Sequence, residues 1–308
     1  MVIHDRSYSR WDGDKTSAVR AVPVMLDAGI KRGVAQLFKR KIPALLLILG
    51  AYGSFVFFLG LIYIRYYILQ NAEKFPGGLA EAMQQPEFTA MTTANAEHVF
   101  FYLFNMQWPF VLIACVMIGS GLISNDRREN ALELYLSRPV TVRQYLLGKL
   151  GTIAFFIGIV TLAPALVLLL AQLSLSWSEP GEAWRLMVLL LRTIPAALVW
   201  IILASLTISA ASSLTQKARN AAILWLAVML MLGLVSGILM EVFGNQGFSL
   251  LQMDFNIRQV AAWMLGDSKP TDFNAHVPLW QSVAVLVGWC GMCIWVMLKR
   301  VKPVEIVA

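Results

Sequence analysis

Charged residues are scarce in this sequence. Asp, Glu, Lys and Arg make up 14% of its 308 residues, whereas hydrophobic residues make up 58%. A soluble globular domain carries about 25% charged and about 45–50% apolar residues. The composition therefore argues against a soluble fold. Because the few charges lie between long uncharged runs, the pattern is that of a chain embedded in a lipid bilayer.

Cysteine and histidine are also scarce, with three residues of each type. All three cysteines lie in apolar runs, so they predict no disulfide framework. Cys290 and Cys293 have CxxC spacing, but in an apolar segment we interpret them as small packing residues rather than a metal or redox pair. The histidines are far apart in sequence and form no ligand spacing. No paired acidic or histidine groups lie within the runs, which disfavours a membrane-embedded enzyme.

Six uncharged runs are long enough to cross a membrane as helices. A bilayer core needs about 20 apolar residues in helical form, and no run shows the alternation of a barrel strand. The first run begins only at Ile42 and is too long for the core of a signal peptide, so we expect it to be retained. The sequence predicts an all-α integral membrane protein with six spans at residues 42–64, 99–123, 150–172, 193–214, 220–240 and 279–298.

Lys and Arg are unevenly distributed between the segments that join the spans. Six lie in one set of alternate segments, and nineteen lie in the other set, at residues 1–41, 125–149, 215–219 and 299–308. Cytoplasmic segments are enriched in Lys and Arg, so both termini are predicted to be cytoplasmic, in the cytoplasmic (inner) membrane. The net charge of +7 then reflects topology and attraction to membrane lipid. No basic stretch interleaved with aromatic residues indicates nucleic-acid binding.

The chain before span 1 divides into two parts. Residues 1–25 are polar and without periodicity, which predicts a loosely ordered cytoplasmic lead. Residues 26–41 have apolar residues on one helical face and Lys and Arg on the other, which predicts an amphipathic helix on the inner membrane surface. Packing against a partner protein is the alternative. The apolar face consists of Leu26, Ile30, Val34 and Leu37, and Phe38 widens it.

Two shorter segments follow later in the chain. On the outer side, Phe248–Leu265 has scattered apolar residues among polar ones, which predicts a helix in or on the outer leaflet. Residues 299–308 form a cytoplasmic tail.

The segment between spans 2 and 3 is longer than a simple helix-to-helix connection, which takes about 2–8 residues. It contains two capping-box spacings, Asp126 with Glu129 and Thr141 with Gln144. Pro139 is expected to end the first helix, because the residue before a proline avoids the α region. We therefore expect a charged elbow of two short helices in the cytoplasm, the second continuous with span 3.

The run Leu122–Lys149 resembles the loop of type-2 ATP-binding-cassette (ABC) export permeases. The shared pattern is an acidic residue with a leucine-rich turn, then the small-Arg-Pro step Ser137-Arg138-Pro139, then a helix that ends in Gly148-Lys149. In that family the loop holds a coupling helix that docks in a groove of the nucleotide-binding subunit. The resemblance implies a partner-coupling role for Asp126, Arg127, Arg128, Glu129, Glu133, Arg138 and Pro139.

The resemblance, which extends in outline over residues 26–302, also implies partners. The chain would be the permease subunit of an exporter, and a separate ABC-type ATPase subunit would bind ATP and Mg. No ATP-hydrolysing site or cofactor is expected in this chain, since Gly148-Lys149 is followed by Leu150 and lacks the first glycine of a phosphate loop. Six spans would be half a pore, which implies a homodimer or a heterodimer with a similar permease. The alternative is a membrane anchor or regulatory subunit that docks an ATPase without transporting.

Two charged residues border the apolar runs on the outer side and are candidates for a transport pathway. A charge at the centre of a bilayer costs about 2.5–3.5 kcal/mol on insertion scales, so charges near it are functional candidates. Arg192 precedes span 4 and Glu241 follows span 5. Snorkelling of Arg192 to lipid headgroups is the alternative interpretation. Spacing alone does not decide whether the two residues pair.

Overall fold

The computed structural model describes residues 21–39, 41–71, 96–131, 140–175, 180–266 and 277–301. Within these ranges the chain is helical and contains no strand. A π-helical turn, Cys115–Gly119, joins α3 to α4, and a 3-10 helix, Gln246–Leu251, precedes α8. The α-helices are α1 (Ala21–Lys39), α2 (Lys41–Gln70), α3 (Ala96–Ala114), α4 (Gly121–Arg128), α5 (Val142–Leu175), α6 (Pro180–Leu214), α7 (Ala218–Phe243), α8 (Met253–Leu265) and α9 (Leu279–Arg300).

Six of the described segments are long and apolar enough to cross a membrane, judged by length and composition. The prediction of an all-α membrane protein with six spans is confirmed. Spans 1, 3, 4, 5 and 6 are formed by α2, α5, α6, α7 and α9, and span 2 is formed by α3 and α4 together. The segments are Ala44–Ile64, Val99–Arg128, Val142–Ser174, Ala183–Leu214, Ala218–Phe243 and Leu279–Arg300.

Helix α6 is the central helix of the bundle. It contacts α3, α4, α5, α7, α8 and α9. Its buried positions include several alanines, among them Ala196, Ala197 and Ala204, and small residues allow membrane helices to approach closely. Helix α7 lies at the periphery, since only 11% of its most apolar window is buried.

Helix α1 packs along the first half of α5 through glycines. Gly29 lies against Thr152 and Gly33 against Phe156, with no room for a Cβ atom at either glycine. In α5, Gly151 lies against Leu26 of α1. Close approach of two helices through small residues increases their van der Waals contact. This contact attaches α1 to span 3.

Only part of the predicted apolar face of α1 packs against the rest of the protein. Ile30 and Leu37 pack against the core of the bundle, whereas Val34 and Phe38 are exposed. The helix begins at Ala21, earlier than the predicted boundary at residue 26, and residues 1–20 lie outside the described residues.

The two ends of the bundle have different components. The α1 end holds α1, the end of α4, the start of α5, the α6–α7 link and Val301. The opposite end holds α8, the predicted helix on the other side of the membrane, which is present. There an ion pair of 2.9 Å between Arg185 of α6 and Glu97 of α3 joins two spans.

Candidate functional site

Span 2 is interrupted near the α1 end. The π-helical turn Cys115–Gly119 and Ser120 separate α3 from α4. Such a turn interrupts the regular ladder of backbone hydrogen bonds and is frequent at functional sites. Here Gly119 lies against Ile208 of α6, where an added Cβ would come within 2.9 Å of the isoleucine side chain. The interruption therefore lies in direct contact with the central helix.

Ser212 of α6 satisfies the backbone groups that the interruption leaves open. Its Oγ accepts hydrogen bonds from the backbone N–H groups of Ile123 at 3.1 Å and Ser124 at 3.0 Å. The same hydroxyl donates to the carbonyl oxygen of Ser120 at 2.8 Å. The first N–H groups of a helix need such partners, which a capping side chain usually supplies from the same segment. In this protein the cap comes from another span, so α4 is fixed to α6.

A buried ion pair fixes α4 to α5. The Nζ atom of Lys149 lies 2.6 Å from Oδ2 of Asp126, and the two side chains are 13% and 8% exposed. The hydroxyl of Tyr145 donates to the same carboxylate oxygen at 2.8 Å. The ammonium group also lies 5.5 Å from the centre of the Tyr145 ring, within the range of a cation–π contact. Both charges are therefore compensated inside the protein.

The two predicted capping boxes have different outcomes. Asp126 does not cap a helix, because α4 starts at Gly121 and already includes it. With its own backbone helical, the Asp126 side chain turns to α5 instead. The second box is confirmed: the N–H of Thr141 donates to Oε1 of Gln144 at 2.9 Å, and the N–H of Gln144 donates to Oγ1 of Thr141 at 3.3 Å. Helix α5 continues from this cap through span 3.

Arg127 makes the third connection of the site. Its guanidinium donates to the carbonyl oxygen of Ser213, one of the last carbonyls of α6, which have no partner within their own helix. A cation at a helix C-terminus also interacts favourably with the helix dipole. We name Asp126, Arg127, Tyr145, Lys149 and Ser212 the inner junction. It connects the end of span 2 to spans 3 and 4.

Helix α4 ends at Arg128, just beyond the inner junction. Arg128 and Glu129 are exposed and pair with each other at 2.9 Å. Asn130 has a positive φ of 52°, which is typical of the residue that ends a helix. Of the predicted coupling residues, Arg128 and Glu129 are therefore accessible, whereas Asp126 and Arg127 are engaged within the chain. Glu133, Arg138 and Pro139 lie outside the described residues.

The surface around the inner junction is positively charged. Its exposed cations come from α4, α5 and the α6–α7 region, so they are distant in sequence and share one end of the bundle. They are Arg143, Lys217 and Arg219, together with Arg128, whose charge is shared with its partner Glu129. Such a surface favours an acidic partner.

Comparison with known families identifies the type of membrane protein. The family described as ABC-2 family transporter protein matches residues 28–299. The match includes all six spans, the inner junction and most of α1. The chain belongs to this family. No curated protein matches it. As an ABC-2 family transporter protein, the chain is a membrane component of an ABC transporter, and the family implies partnership with an ABC ATPase subunit.

Three residues of the inner junction in this ABC-2 chain were not predicted from the sequence. Tyr145 and Lys149 follow Asp126 by more than four turns of helix, and no local spacing relates them to it. Ser212 looks like any small residue in an apolar run. Only its position in a cluster with Ser209 and Ser213 near the end of span 4 distinguishes it, and hydroxyl groups in membrane helices often bond across helices.

The two predicted pathway residues of the ABC-2 chain do not meet. Arg192 and Glu241 are both exposed, and no ion pair or hydrogen bond joins them. Glu241 lies in the last turn of α7. Arg192 lies beside Gly266, at the C-terminal end of α8, where its guanidinium occupies the space that a Cβ of residue 266 would take.

Proposed function

We propose that this chain is the permease subunit of an ABC exporter, and that a separate ATPase subunit, which binds ATP and Mg, docks at the α1 end. The observation that carries the proposal is the inner junction, which fixes α4 and the start of α5, the two helices that the link, the segment between Asn130 and Val140, connects. Energetic coupling passes through packed elements and polar networks. Because the inner junction ties α4 to α5 and α6, a displacement of the link would act on spans 2, 3 and 4 together.

Charge complementarity supports docking at this end. The exposed cations Arg128, Arg143, Lys217 and Arg219 share this end of the bundle, so we expect an acidic contact surface on the ATPase subunit. The link itself carries Glu133 and Arg138. Charges of both signs would hold the ATPase subunit in one specific position.

Docking is tested by charge reversal. The tagged chain is purified from its native membrane, the co-purifying ATPase subunit is identified by mass spectrometry, and its amount and ATP hydrolysis are measured. Glu133→Lys and Arg138→Glu should each reduce association at least tenfold, since breaking a buried charge pair at an interface costs about 2–5 kcal/mol. Arg192→Gln, at the opposite end, is the control and should associate normally. Normal association and ATPase stimulation in both link variants would show that the link is not the contact.

A second experiment distinguishes an anchor from a transporting permease. It measures whether the spans move when the ATPase subunit binds nucleotide. Spin labels at the exposed positions Val228 and Ile238 of α7 report its position in the assembled complex. An export permease should change these distances between nucleotide-free and vanadate-trapped complexes, whereas an anchor that docks an ATPase without transporting should not. Unchanged distances at full ATPase association would favour the anchor.

We further propose that two copies assemble through α7. Of the six described spans, α7 has the smallest buried share. At its Gly233 and Gly237, no other side chain lies within 4 Å of the position that a Cβ atom would take. GxxxG spacing on an apolar helix favours close helix association. Gly233→Leu with Gly237→Leu should reduce dimer content in native mass spectrometry, whereas the control Gly288→Leu, at an equally open position of α9, should not. An unchanged dimer would place the seam elsewhere.

The proposed orientation puts the α1 end in the cytoplasm of an inner membrane. The excess of Lys and Arg in the segments of that end supports it. Cysteine introduced near Gly78 or Ser268 should react with an impermeant reagent in sealed cells, and cysteine at Arg128 should not. External labelling at Arg128 would contradict the orientation.

A further inference from the structure

An apolar groove lies at the end of the bundle opposite α1. It is formed by α6, α8 and α9 and has a volume of about 810 Å³, within the range of sites that hold small ligands. Its lining residues are apolar, apart from Cys290, and carry no charge. Representative lining side chains are Leu198, Ile202, Trp263, Val283 and Val287.

The length of the groove matches one leaflet of a bilayer. On α9 it extends from Leu279 to Cys290, which at 1.5 Å per residue is about 16 Å. The hydrocarbon core of a bilayer is about 30 Å thick, so half of it is about 15 Å. The groove is therefore long enough to run from one membrane boundary to near the bilayer centre.

The rim of the groove carries two exposed tryptophans. Trp263 and Trp280, which line it, are 62% and 67% exposed, as expected for the aromatic belt of a membrane protein. Arg192 is about 33 Å from Leu214 along α6 at 1.5 Å per residue. When Leu214 lies at the boundary of the α1 end, Arg192 reaches the opposite boundary.

Arg192 supplies a positive charge at this rim. It lines a second cavity of about 640 Å³, which shares Pro195, Trp263 and Met264 with the groove. Among the described residues it makes no hydrogen bond or ion pair. Of the acidic residues described at this end, Glu97 and Asp254 are paired with other arginines, and Glu241 forms no ion pair with Arg192. The Arg192 guanidinium lies at the C-terminal end of α8, where the helix dipole favours a cation. No described carboxylate pairs with it, and a guanidinium can bind phosphate oxygens bidentately.

We propose that the groove and Arg192 form a binding site for one anionic phospholipid of the leaflet opposite α1. Its acyl chain lies in the groove between α6 and α9, and its phosphate accepts hydrogen bonds from the guanidinium of Arg192. This site is separate from the inner junction and does not depend on the proposed transport function.

The test measures lipid retention. The full chain is reconstituted in nanodiscs with equal phosphatidylglycerol and phosphatidylcholine, extracted in mild detergent, and the retained lipids are quantified by mass spectrometry. The wild-type chain should retain phosphatidylglycerol preferentially, and Arg192→Gln should lower that preference at least fivefold. Arg192→Lys should keep part of it because the charge remains. The control Lys299→Gln, which removes an exposed cation at the other end of α9, should behave as wild type.

A second variant tests the groove itself. Val283→Trp fills it and should lower retention of both lipids, with folding checked by size-exclusion chromatography and thermal unfolding. Equal retention of the two lipids by the wild-type chain, or unchanged preference in Arg192→Gln, would overturn the proposal. If Arg192 instead pairs with an acidic residue of the segment 267–276, Arg192→Gln will lower thermal stability equally in both lipids and leave retention unchanged. That outcome would also overturn it.

Discussion

Lys149 and Arg192 are two cations at opposite ends of the spans, and the fold treats them differently. Lys149 is 13% exposed and lies 2.6 Å from a carboxylate, whereas Arg192 is exposed and unpaired among the described residues. A hydroxyl and a carboxylate group lie beside Lys149, whereas mainly apolar side chains lie beside Arg192. Directional polar contacts fix helices in one register, and apolar packing tolerates sliding and exchange of neighbours. The comparison indicates that the surroundings of Lys149 are built for rigid connection, whereas those of Arg192 are open to contact with lipid.

The largest expected effect comes from breaking the buried pair at the α1 end. Lys149→Met or Asp126→Leu alone should lower the free energy of unfolding by about 3–5 kcal/mol, because each leaves an uncompensated buried charge. The double variant should recover much of the loss, since no charge then remains. Chemical unfolding in detergent micelles, followed by tryptophan fluorescence, measures the three variants. Additive losses in the double variant would show that the two residues are not coupled.

A smaller effect is expected from the cap supplied by α6. Ser212→Ala removes the acceptor of two buried backbone N–H groups, which should cost about 1–3 kcal/mol. The neighbouring Ser213→Ala is the control, because among the described residues the Ser213 hydroxyl bonds only to the Ala210 carbonyl of its own helix. Removing such a bond should change stability by less than about 0.5 kcal/mol. Equal losses in the two variants would argue against the interhelical cap.

The smallest effect is expected at Arg192. Arg192→Gln removes an exposed charge with no partner among the described residues, so the free energy of unfolding in a neutral detergent should change by less than about 0.5 kcal/mol. The matched change at the α1 end is Lys149→Gln, which should be strongly destabilising. The ratio of the two losses in the free energy of unfolding measures how much more the fold depends on Lys149 than on Arg192. A large loss in Arg192→Gln would reveal a counter-ion within the protein and remove the contrast between the ends.

The spans and the start of α5 were predictable because their causes are local. A run of about 20 apolar residues spans a bilayer wherever its neighbours lie, and Thr141 with Gln144 forms a capping box within one turn of chain. The same local rule failed at Asp126. Its spacing to Glu129 is that of a cap, but span 2 continues past it as α4, and its carboxylate binds a residue of the next span.

The sequence by itself determined the class of the protein, the number of spans and the segment that links spans 2 and 3, because these depend on hydrophobicity and on contacts between near neighbours in the chain. Only the tertiary structure decided which polar groups have hydrogen-bond or ion-pair partners inside the protein and which are exposed without one. Ser212 and Lys149 reach α4 and its Asp126 from other helices, and Arg192 gains its apolar surroundings from α8. These contacts join residues far apart in the chain, and their geometry is set by how the helices pack.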